Sequence, residues 1–451
     1  MEHLGTKSSA IIAKAIALAL ALAALAFLAA LPQESAIAAS AQQENSALAA
    51  ATDASGDASA DASTLKAQAA TLSKKQQKAF QKASADFALE LFSRSVAAKG
   101  KNANVTIAPM SVLTACAMAN NGAAGKTGKQ LRSVLADGAS TTALNKRLQW
   151  YGAKLVDTAK AHISNANAIW YHSGGTLTVK QSFLDVNKTY LNADVRAADF
   201  ADQRTANDIN AWVSDKTNGM IKQIVDNVSP DMRFVLANAV YFDAEWKRPY
   251  DDGDVRTRTF TTASGKKRKV RMMYSTENRY IEAKGVKGFI RPYAKGYSYV
   301  ALLPDKGTSV KEFLSTLDGK AFRKLVSGAK RATVRAGIPK YSISYSNERM
   351  NGQLMAMGVK LAFDRDKANF SNMGKDTTGN LYIDQVIHKT KVEVDERGTK
   401  AAAVTAVMMK AAMATPVKTK TVVLNRPFVY AIIDNTTKLP VFIGAVNNIG
   451  S

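Results

Sequence analysis

Residues 392–428 read VEVDERGTKAAAVTAVMMKAAMATPVKTKTVVLNRPF, and this stretch decides how the rest of the chain is interpreted. Alanine, methionine and lysine favour a helix over residues 400–414, and Thr399 could cap it. A period of two favours a strand instead, because every charge from position 396 to position 410 except Arg397 lies on an even position. The odd positions from Thr399 to Met409 are uncharged and small to medium in size, as one buried face of a strand would be. The segment therefore fits either a solvated loop or a strand with an inner face of small residues.

The same stretch carries motifs that resemble a known family. Glu396-Arg397-Gly398-Thr399 is followed by an alanine run, and Arg426-Pro427-Phe428 precedes a C-terminal hairpin. This combination closely resembles the hinge and reactive-centre loop of the serpins, which are serine protease inhibitors. A Pro-x-Ser helix followed by Gly-Ala-x-Gly-x-Thr, within residues 109–127, is also similar to that family. Further blocks match in the same order, so the resemblance covers the chain from about residue 76 to residue 449.

The order of helix-like and strand-like segments predicts an α+β fold. Residues 234–242 are continuously apolar, which is typical of a central strand buried on both faces. Helical spacing of Phe80, Phe87 and Leu91 predicts an amphipathic helix over residues 74–98. Strands and helices follow one another without regular βαβ alternation. The resemblance implies the serpin fold, with about nine helices, three β-sheets and an exposed reactive-centre loop able to insert into the central sheet.

The N-terminus predicts export. Lys7 and Lys14 precede an apolar run, and small residues follow it, so residues 1–38 are predicted to be a signal peptide cleaved after Ala38 or Ala41. An uncleaved membrane anchor is the alternative. Residues 39–72 are rich in Ala, Ser and Asp and predict a disordered linker. We expect a serpin domain over residues 73–451 and a secreted protein, with retention at the cell surface as the alternative.

The chain is strongly basic, with 61 Lys and Arg against 37 Asp and Glu and a net charge of +24. Its densest basic tract is Lys266, Lys267, Arg268 and Lys269. The plain interpretation is a solvated surface with the tract at a hairpin turn, and the alternative is a site for a polyanion or an anionic surface. The tract has no interleaved aromatic residues, so we expect no nucleic-acid partner. We expect a monomer.

No motif for catalysis or metal binding is present. The sequence has no Gly-x-Ser-x-Gly elbow, no His-Glu-x-x-His and no Cys-x-x-Cys. Gly125-Lys126-Thr127 does not complete a phosphate-binding loop, because Asn120 stands where that motif requires glycine. The single cysteine, Cys116, lies in an apolar helical stretch and is interpreted as a core residue. We therefore expect a protein that is not an enzyme, with no cofactor and no metal.

The resemblance assigns conformational roles to three groups of residues. The polar cluster beneath the centre of the sheet, called the shutter, consists of Ser111, Asn238 and His388. The breach, at the top of the sheet opening, consists of Trp246, Lys340 and Glu396. The hinge consists of Glu396, Gly398, Thr399, Ala401, Ala402 and Ala403.

These roles imply how the loop is kept out of the sheet and how the sheet opens to accept it. An ion pair between Glu396 and Lys340 would hold the uninserted state, while the shutter could exchange hydrogen bonds as strands slide. A hydrogen-bonded core histidine is the plain interpretation of His388. Ala108 replaces a serine that is usual in the family, which removes one hydroxyl from the cluster. Lys400 replaces a glutamate common in the family, and we expect little harm because the side chain points outward in the strand register.

The predicted activity is suicide inhibition of a serine protease. The resemblance implies that the protease cleaves the loop, remains bound as an acyl-enzyme and is displaced when residues 399–411 insert as a strand. Counting from Glu396 by the family pattern places the cleaved bond at Ala412-Met413, which suits elastase-like, subtilisin-like or chymotrypsin-like enzymes. The alternatives are Met413-Ala414, Met409, and Lys410, which would suit a trypsin-like enzyme. A non-inhibitory serpin acting as a carrier, chaperone or polyanion-binding protein is the alternative function.

Overall fold

The computed structural model describes residues 71–348, 350–399 and 419–449. All of these residues belong to one unit of the chain, Ala69–Ser451. The predicted signal peptide and nearly all of the predicted linker lie outside the described residues. Leu72, at the end of the predicted linker, is buried against the core.

The described residues contain nine α-helices. They are α1 (Lys74–Lys99), α2 (Pro109–Gly122), α3 (Gly125–Ala136), α4 (Thr141–Lys154), α5 (Gln181–Leu191), α6 (Arg204–Lys216), α7 (Val310–Leu314), α8 (Gly319–Ser327) and α9 (Asn351–Met357). Two short 3₁₀ helices cover Asp252–Asp254 and Leu361–Phe363. Ser73 is the N-cap of α1: its side chain accepts from the backbone N–H of Gln76, and the Gln76 side chain accepts from the backbone N–H of Ser73, so the start predicted from the sequence has a physical cause.

A six-stranded sheet carries the predicted hinge. Its strands, in spatial order, are β11 (Tyr341–Asn347), β13 (His388–Val394), β14 (Gly398–Thr399), β5 (Phe234–Glu245), β2 (Ala161–His172) and β4 (Ala193–Ala198). The strand predicted at residues 234–242 lies within β5, which stands between β14 and β2 in the sheet, although β14 pairs only with Ala244 and Glu245. The odd residues Ala237 and Ala239 of β5 pack in a cluster with α6, whereas Phe242 packs in the main core.

A nine-stranded sheet forms the second layer. It contains, in spatial order, β1 (Val105–Ile107), β17 (Pro440–Val446), β16 (Phe428–Asp434), β9 (Tyr297–Pro304), β8 (Val286–Pro292), β7 (Lys267–Ala283), β10 (Lys330–Pro339) and β15 (Lys420–Val423), and β6 (Val255–Thr261) also pairs with β7. A third sheet joins β3 (Leu177–Val179) to β12 (Gly374–Asp376). Every residue of β9, β16 and β17 is buried, so these three strands form the centre of the core. The α+β class and the three sheets are as predicted.

Strand β14 separates its two neighbours over only two residues. Among the described residues, β5 pairs with β2 and β14, and β13 pairs with β11 and β14, so β5 and β13 share no pairs with each other. Both pairings of β14 are antiparallel. Beyond β14, the sheet edges of β5 and β13 therefore face each other across a gap, which we call the sheet gap.

Candidate functional site

The first hinge residues lie within the sheet. Gly398 is paired with Glu245, and Thr399 is paired with both Ala244 and Val394. A Cβ atom on Gly398 would lie 2.0 Å from the carbonyl oxygen of Ala244, so only glycine permits this approach of the two backbones. The sequence Gly-Thr after the turn therefore has a geometric cause: glycine allows the close pairing that introduces Thr399 between two strands.

A buried hydroxyl contact fixes Thr399. Its side chain is 2% exposed, and its Oγ1 lies 2.6 Å from the hydroxyl of Tyr293. The Tyr293 ring stacks on Trp246 with 4.4 Å between ring centroids and 8° between planes. Trp246 Nε1 donates to the carbonyl of Asp395 at 2.9 Å, so the indole contacts the segment that leads into β14. Trp246 belongs to the predicted breach, whereas Tyr293 is not among the predicted site residues.

A buried ion pair supports Trp246 from the other side. Arg291 and Glu277 form a salt bridge with side chains that are 4% and 7% exposed. The guanidinium of Arg291 lies 4.9 Å from the ring centroid of Trp246 and 4.0 Å from that of Tyr250, within cation–π range. Sequence reasoning missed this pair because its partners lie on two different strands. The available signal was Arg291, a charged residue directly after the apolar pair Phe289-Ile290.

The ion pair expected in the breach is present. Lys340 Nζ lies 2.9 Å from Glu396 Oε2, and the two side chains are 50% and 27% exposed. Partial burial would raise the pKa of Glu396, but the hydrogen bond and charge of Lys340, together with the charge of Arg271, lower it below its ordinary value. Since the pair is half-exposed, its net stabilisation is only about 0.2–1 kcal/mol. It ties the turn before β14 to the strand connection at Lys340.

His388 of the predicted shutter is buried and neutral. Its Nε2 accepts a hydrogen bond from the backbone N–H of Ala108 at 3.1 Å. Burial lowers the pKa of the imidazole to about 4, so the ring carries no charge at neutral pH. The backbone of Ala108 thus contacts the cluster although its side chain has no hydroxyl. Ser111 is also buried, in α2 just beyond Ala108.

Asn238 bonds to β2, the neighbour of β5 that lies away from His388. Its Nδ2 donates to the side-chain oxygens of Asn165 and Asn167 on β2, at 2.8 and 2.6 Å. Its buried Oδ1 has no partner among the described residues, and within that part of the chain Asn238 forms no hydrogen bond with His388. The structure therefore does not bring the three shutter residues into one hydrogen-bonded cluster, because the sheet gap separates β5 from β13. The Asn-x-Asn pattern on β2 was the missed signal.

Several predicted site residues lie outside the described part of the chain. They are the hinge alanines Ala401, Ala402 and Ala403 and the candidate cleavage positions Met409, Lys410, Ala412, Met413 and Ala414. Thr419 is the next described residue, and β15 then runs parallel to β10. The basic tract, in contrast, is described: Lys266 lies in the turn between β6 and β7, and the next three residues begin β7 with exposed side chains.

The described residues offer little for other chemistry. Cys116 is buried, and burial raises its pKa to about 12, which suits a core residue rather than a nucleophile. Within residues 71–348, 350–399 and 419–449 there is no group of His, Cys, Asp and Glu side chains that could hold a metal ion. No helix in the same ranges is long and apolar enough to cross a membrane.

Comparisons with known proteins define the class to which this fold and hinge belong. The family model for serpins, serine protease inhibitors, matches residues 82–449. The chain belongs to the serpin family. It is 32% identical over 361 residues to an uncharacterised serpin-like protein of Thermococcus kodakarensis, covering 77% of this chain and 82% of that one.

Solved structures agree with this assignment. A thermophilic serpin, tengpin, in its native state has a TM-score of 0.79 and 43% identity, over 85% of this chain and 96% of that one. Human thyroxine-binding globulin, complexed with its ligand, has a TM-score of 0.73 at 22% identity, over 83% of this chain and 100% of that one. The second likeness shows the fold alone.

Proposed function

We propose that this serpin inhibits serine proteases as a suicide substrate, by inserting its cleaved loop into the sheet gap. The observation that carries the proposal is β14, a two-residue strand that pairs with β13 and β5 at one end of a gap between them. Beyond β14, β5 and β13 pair with no strand of the described chain on the gap side, so their backbone groups there would gain hydrogen bonds from one further strand. Serpins are generally protease inhibitors, and membership of this family supports the same proposal.

The register of β14 predicts how the rest of the loop would pair. Since Thr399 lies opposite Val394 and Ala244, antiparallel continuation would set Thr405 opposite both His388 and Asn238. A hydroxyl at that point can supply the donor that Asn238 Oδ1 lacks among the described residues. The proposed inserted strand would thus join the two parts of the shutter that the gap separates.

Thr405→Val should still trap protease, but the trapped form should gain less thermal stability; an unchanged gain would contradict this contact.

The mechanism needs a native state that is kinetically trapped. A protease serine would attack the loop and form an acyl-enzyme, and cleavage would release the hinge from its C-terminal anchor at β15. Thirteen inserted residues at about 3.3 Å each would span about 43 Å, enough to carry a tethered protease across the sheet. The strand would have to insert before the acyl-enzyme is hydrolysed. Insertion is favourable only if the inserted form is more stable, so the uncleaved fold must be the less stable of the two.

The inner face of the loop explains the choice of small residues. Thr399 is buried, so Ala401 and Ala403 would share its inward face, and Ala402 would face outward. We propose Ala412-Met413 as the cleaved bond, with elastase-like, subtilisin-like or chymotrypsin-like targets. Cleavage after Lys410 instead would make trypsin-like enzymes the targets.

One experiment tests both the trap and the bond. The mature protein would be mixed with pancreatic elastase, subtilisin, chymotrypsin and trypsin, followed by denaturing gels and mass spectrometry of the released fragment. We expect a complex that survives boiling and a fragment beginning at Met413. Cleavage without a covalent complex or a gain in heat stability would refute the insertion mechanism.

A matched pair of variants separates insertion from simple binding. Ala403→Arg places a charge on the inner face, which should block insertion and turn the inhibitor into a substrate. Ala402→Arg adds the same side chain to the outer face and should leave complex formation close to that of the wild type. Equal behaviour of the two variants would contradict the proposed register.

A non-inhibitory role is the second candidate, because thyroxine-binding globulin has the same fold. The sheet gap favours the inhibitor, since a carrier does not need a gap that continues the register of its loop. The experiment above discriminates between the two functions.

We also propose that the protein is exported, on the basis of the predicted signal peptide at residues 1–38. N-terminal sequencing of protein from the culture medium should begin at Ala39 or Gln42. Recovery of the intact N-terminus only in the cytoplasm would contradict export.

A further inference from the structure

The turn that leads into β14 is held by residues 246–250, a short segment after β5 that we call the clasp. Two backbone N–H groups of the clasp, from Trp246 and Tyr250, donate to the carbonyls of Arg397 and Glu396 at 2.7 and 2.8 Å. The indole N–H of Trp246 donates at 2.9 Å to the carbonyl of the residue before Glu396. Three consecutive carbonyls of the turn are therefore bound by one segment.

A single guanidinium group holds the clasp in place. Arg291 on β8 lies 4.0 Å from the ring centroid of Tyr250 and 4.9 Å from that of Trp246, and the two rings meet edge to face. Its Nη2 also donates to the backbone carbonyl of Arg248, in the middle of the clasp. A flat, branched cation can stack on aromatic rings and donate in its own plane at the same time, which an ammonium group cannot do.

Glu277 fixes the position of Arg291. Its carboxylate forms the salt bridge with Arg291, and it also accepts from the hydroxyl of Ser275 at 2.7 Å. The two charged side chains are only 4% and 7% exposed, so water cannot take the place of either partner. Arg291 therefore cannot turn away from the clasp without leaving a buried carboxylate unpaired, which is costly.

Stability alone does not account for an ion pair buried at this point. Replacing such a pair by well-packed apolar side chains is often neutral or stabilising, because removing two charges from water offsets much of their attraction. The best-attested use of a buried polar group is to select one register among several. Here the pair contacts the clasp, and the clasp binds the turn from which the register of the loop begins.

The register at β14 decides which side chains of the loop would face inward. Thr399 lies opposite Ala244 and Val394. A shift by one residue would turn every following side chain to the other face and bring the charge of Lys400 inward. The clasp binds backbone carbonyls of the turn, so it fixes the position of the turn independently of the side chains there.

We propose that Arg291 is a positioning residue for trapping. Paired with Glu277, it holds Trp246 and Tyr250 against the turn Asp395–Gly398 and thereby sets the register in which the loop enters the sheet gap. Arg291 acts through the clasp and belongs neither to the hinge motif nor to the predicted breach. This role rests on the proposed function, because it concerns the insertion that follows cleavage.

A double variant removes the ion pair without leaving a buried charge. Arg291→Leu/Glu277→Leu should keep a melting temperature close to that of the wild type, but hydrogen exchange of the peptide covering residues 246–250 should become about tenfold faster or more. The stoichiometry of inhibition should rise about threefold or more, because a misplaced start of the strand gives deacylation more time. The matched control is Arg233→Leu/Asp376→Leu, which removes a largely buried ion pair beside the other end of β5 and should leave exchange in the clasp unchanged.

A third variant tests the stacked guanidinium group. Arg291→Lys keeps the charge, but lysine cannot lie flat on both rings while it donates to the carbonyl of Arg248. Exchange in the clasp should therefore be closer to that of the double variant than to that of the wild type. Wild-type exchange in either Arg291→Lys or the double variant would overturn the proposal.

The two readouts can fail separately, because exchange is measured without a protease. A wild type that traps no protease refutes the proposed function, and the role of Arg291 in trapping falls with it. If the wild type traps protease and the double variant frees the clasp but keeps the wild-type stoichiometry, Arg291 is structural only. One measurement needs no variant: the amides of Trp246 and Tyr250 should exchange as slowly as those of the buried strand β9, and exchange as fast as at the exposed turn residue Ser264 would refute the clasp.

Discussion

The register of the hinge predicts a charge match between Lys400 and two carboxylates. Thr399 lies opposite Val394 and Ala244, so position 400 of an inserted strand would lie opposite Glu393 and Asp243. Residues directly opposite in an antiparallel ladder share one face of the sheet. Lys400, which at first sight was a harmless replacement for glutamate, would then stabilise the inserted form.

Lys400→Glu should therefore impair trapping. The substitution exchanges two favourable cross-strand pairs for two unfavourable ones, each worth about 0.2–1 kcal/mol, which gives about 1–4 kcal/mol in total. Asp243 accepts from the hydroxyl of Tyr241 at 2.8 Å, and Glu393 is paired with Lys391 at 2.6 Å, so both are partly compensated and the lower half of that range applies. A loss of about 1–2 kcal/mol slows insertion roughly 5–30-fold.

The assay measures how the acyl-enzyme divides between trapping and release of the protease. The stoichiometry of inhibition and the rate of complex formation would be measured for the wild type and Lys400→Glu with the protease that the wild type traps best. Lys418→Glu, which makes the same charge change beyond the proposed inserted segment, serves as the control. Asp243→Lys should restore part of the trapping by Lys400→Glu. If Lys400→Glu traps as well as Lys418→Glu does, the register argument is refuted.

Three further perturbations test the hinge and its supports. Gly398→Ala should displace β14, since the new methyl would lie 2.0 Å from the Ala244 carbonyl oxygen, and hydrogen exchange at Thr399 should rise; unchanged exchange would exclude the clash. His388→Gln should flatten the acid dependence of stability: the pKa is about 4 when folded. The pKa of the histidine in the unfolded chain is about 6.5, so the free energy of unfolding of the wild type falls by about 3 kcal/mol as the pH falls between the two pKa values. Urea midpoints from pH 7 to 4.5 would measure this fall, with the exposed His162→Gln as the control. Glu277→Gln should lower stability by about 3–5 kcal/mol, because Arg291 stays charged and buried, whereas a shift in melting temperature no larger than that of a surface variant would refute this role.

Local patterns were sufficient for those elements whose residues follow one another in the chain. The apolar run of β5, the helix α1 and the final hairpin of β16 and β17 depend on residues close in sequence, and each was predicted. The Lys340–Glu396 pair came from the family resemblance, since 56 positions separate the two residues.

Contacts between distant strands could not be read from the sequence. Arg291 meets Glu277 and stacks beneath Trp246 only because β7, β8 and the segment after β5 converge in the fold. The partners of Asn238 depend in the same way on the register between β2 and β5, which pairs Asn238 with Asn167. A one-residue shift in that register would turn the side chains to the opposite face, so pattern alone cannot identify them.

Under the proposed mechanism, the two residues of β14 would also determine where the barrier to insertion lies. Ordering the backbone of a residue costs about 1–2 kcal/mol, so a strand that must start from a free loop pays this cost before its hydrogen bonds compensate. In this structure Gly398 and Thr399 are already ordered, and Tyr293 holds the Thr399 hydroxyl at 2.6 Å. Insertion would then proceed by extending an existing strand, and the first steps would add pairs without a separate nucleation cost of about 2–4 kcal/mol. The slow step would fall further along, where Thr405 must pass between Asn238 and His388 and their hydrogen bonds must be exchanged. Substitutions at the shutter should consequently change the rate of insertion more than substitutions that only weaken the Lys340–Glu396 pair.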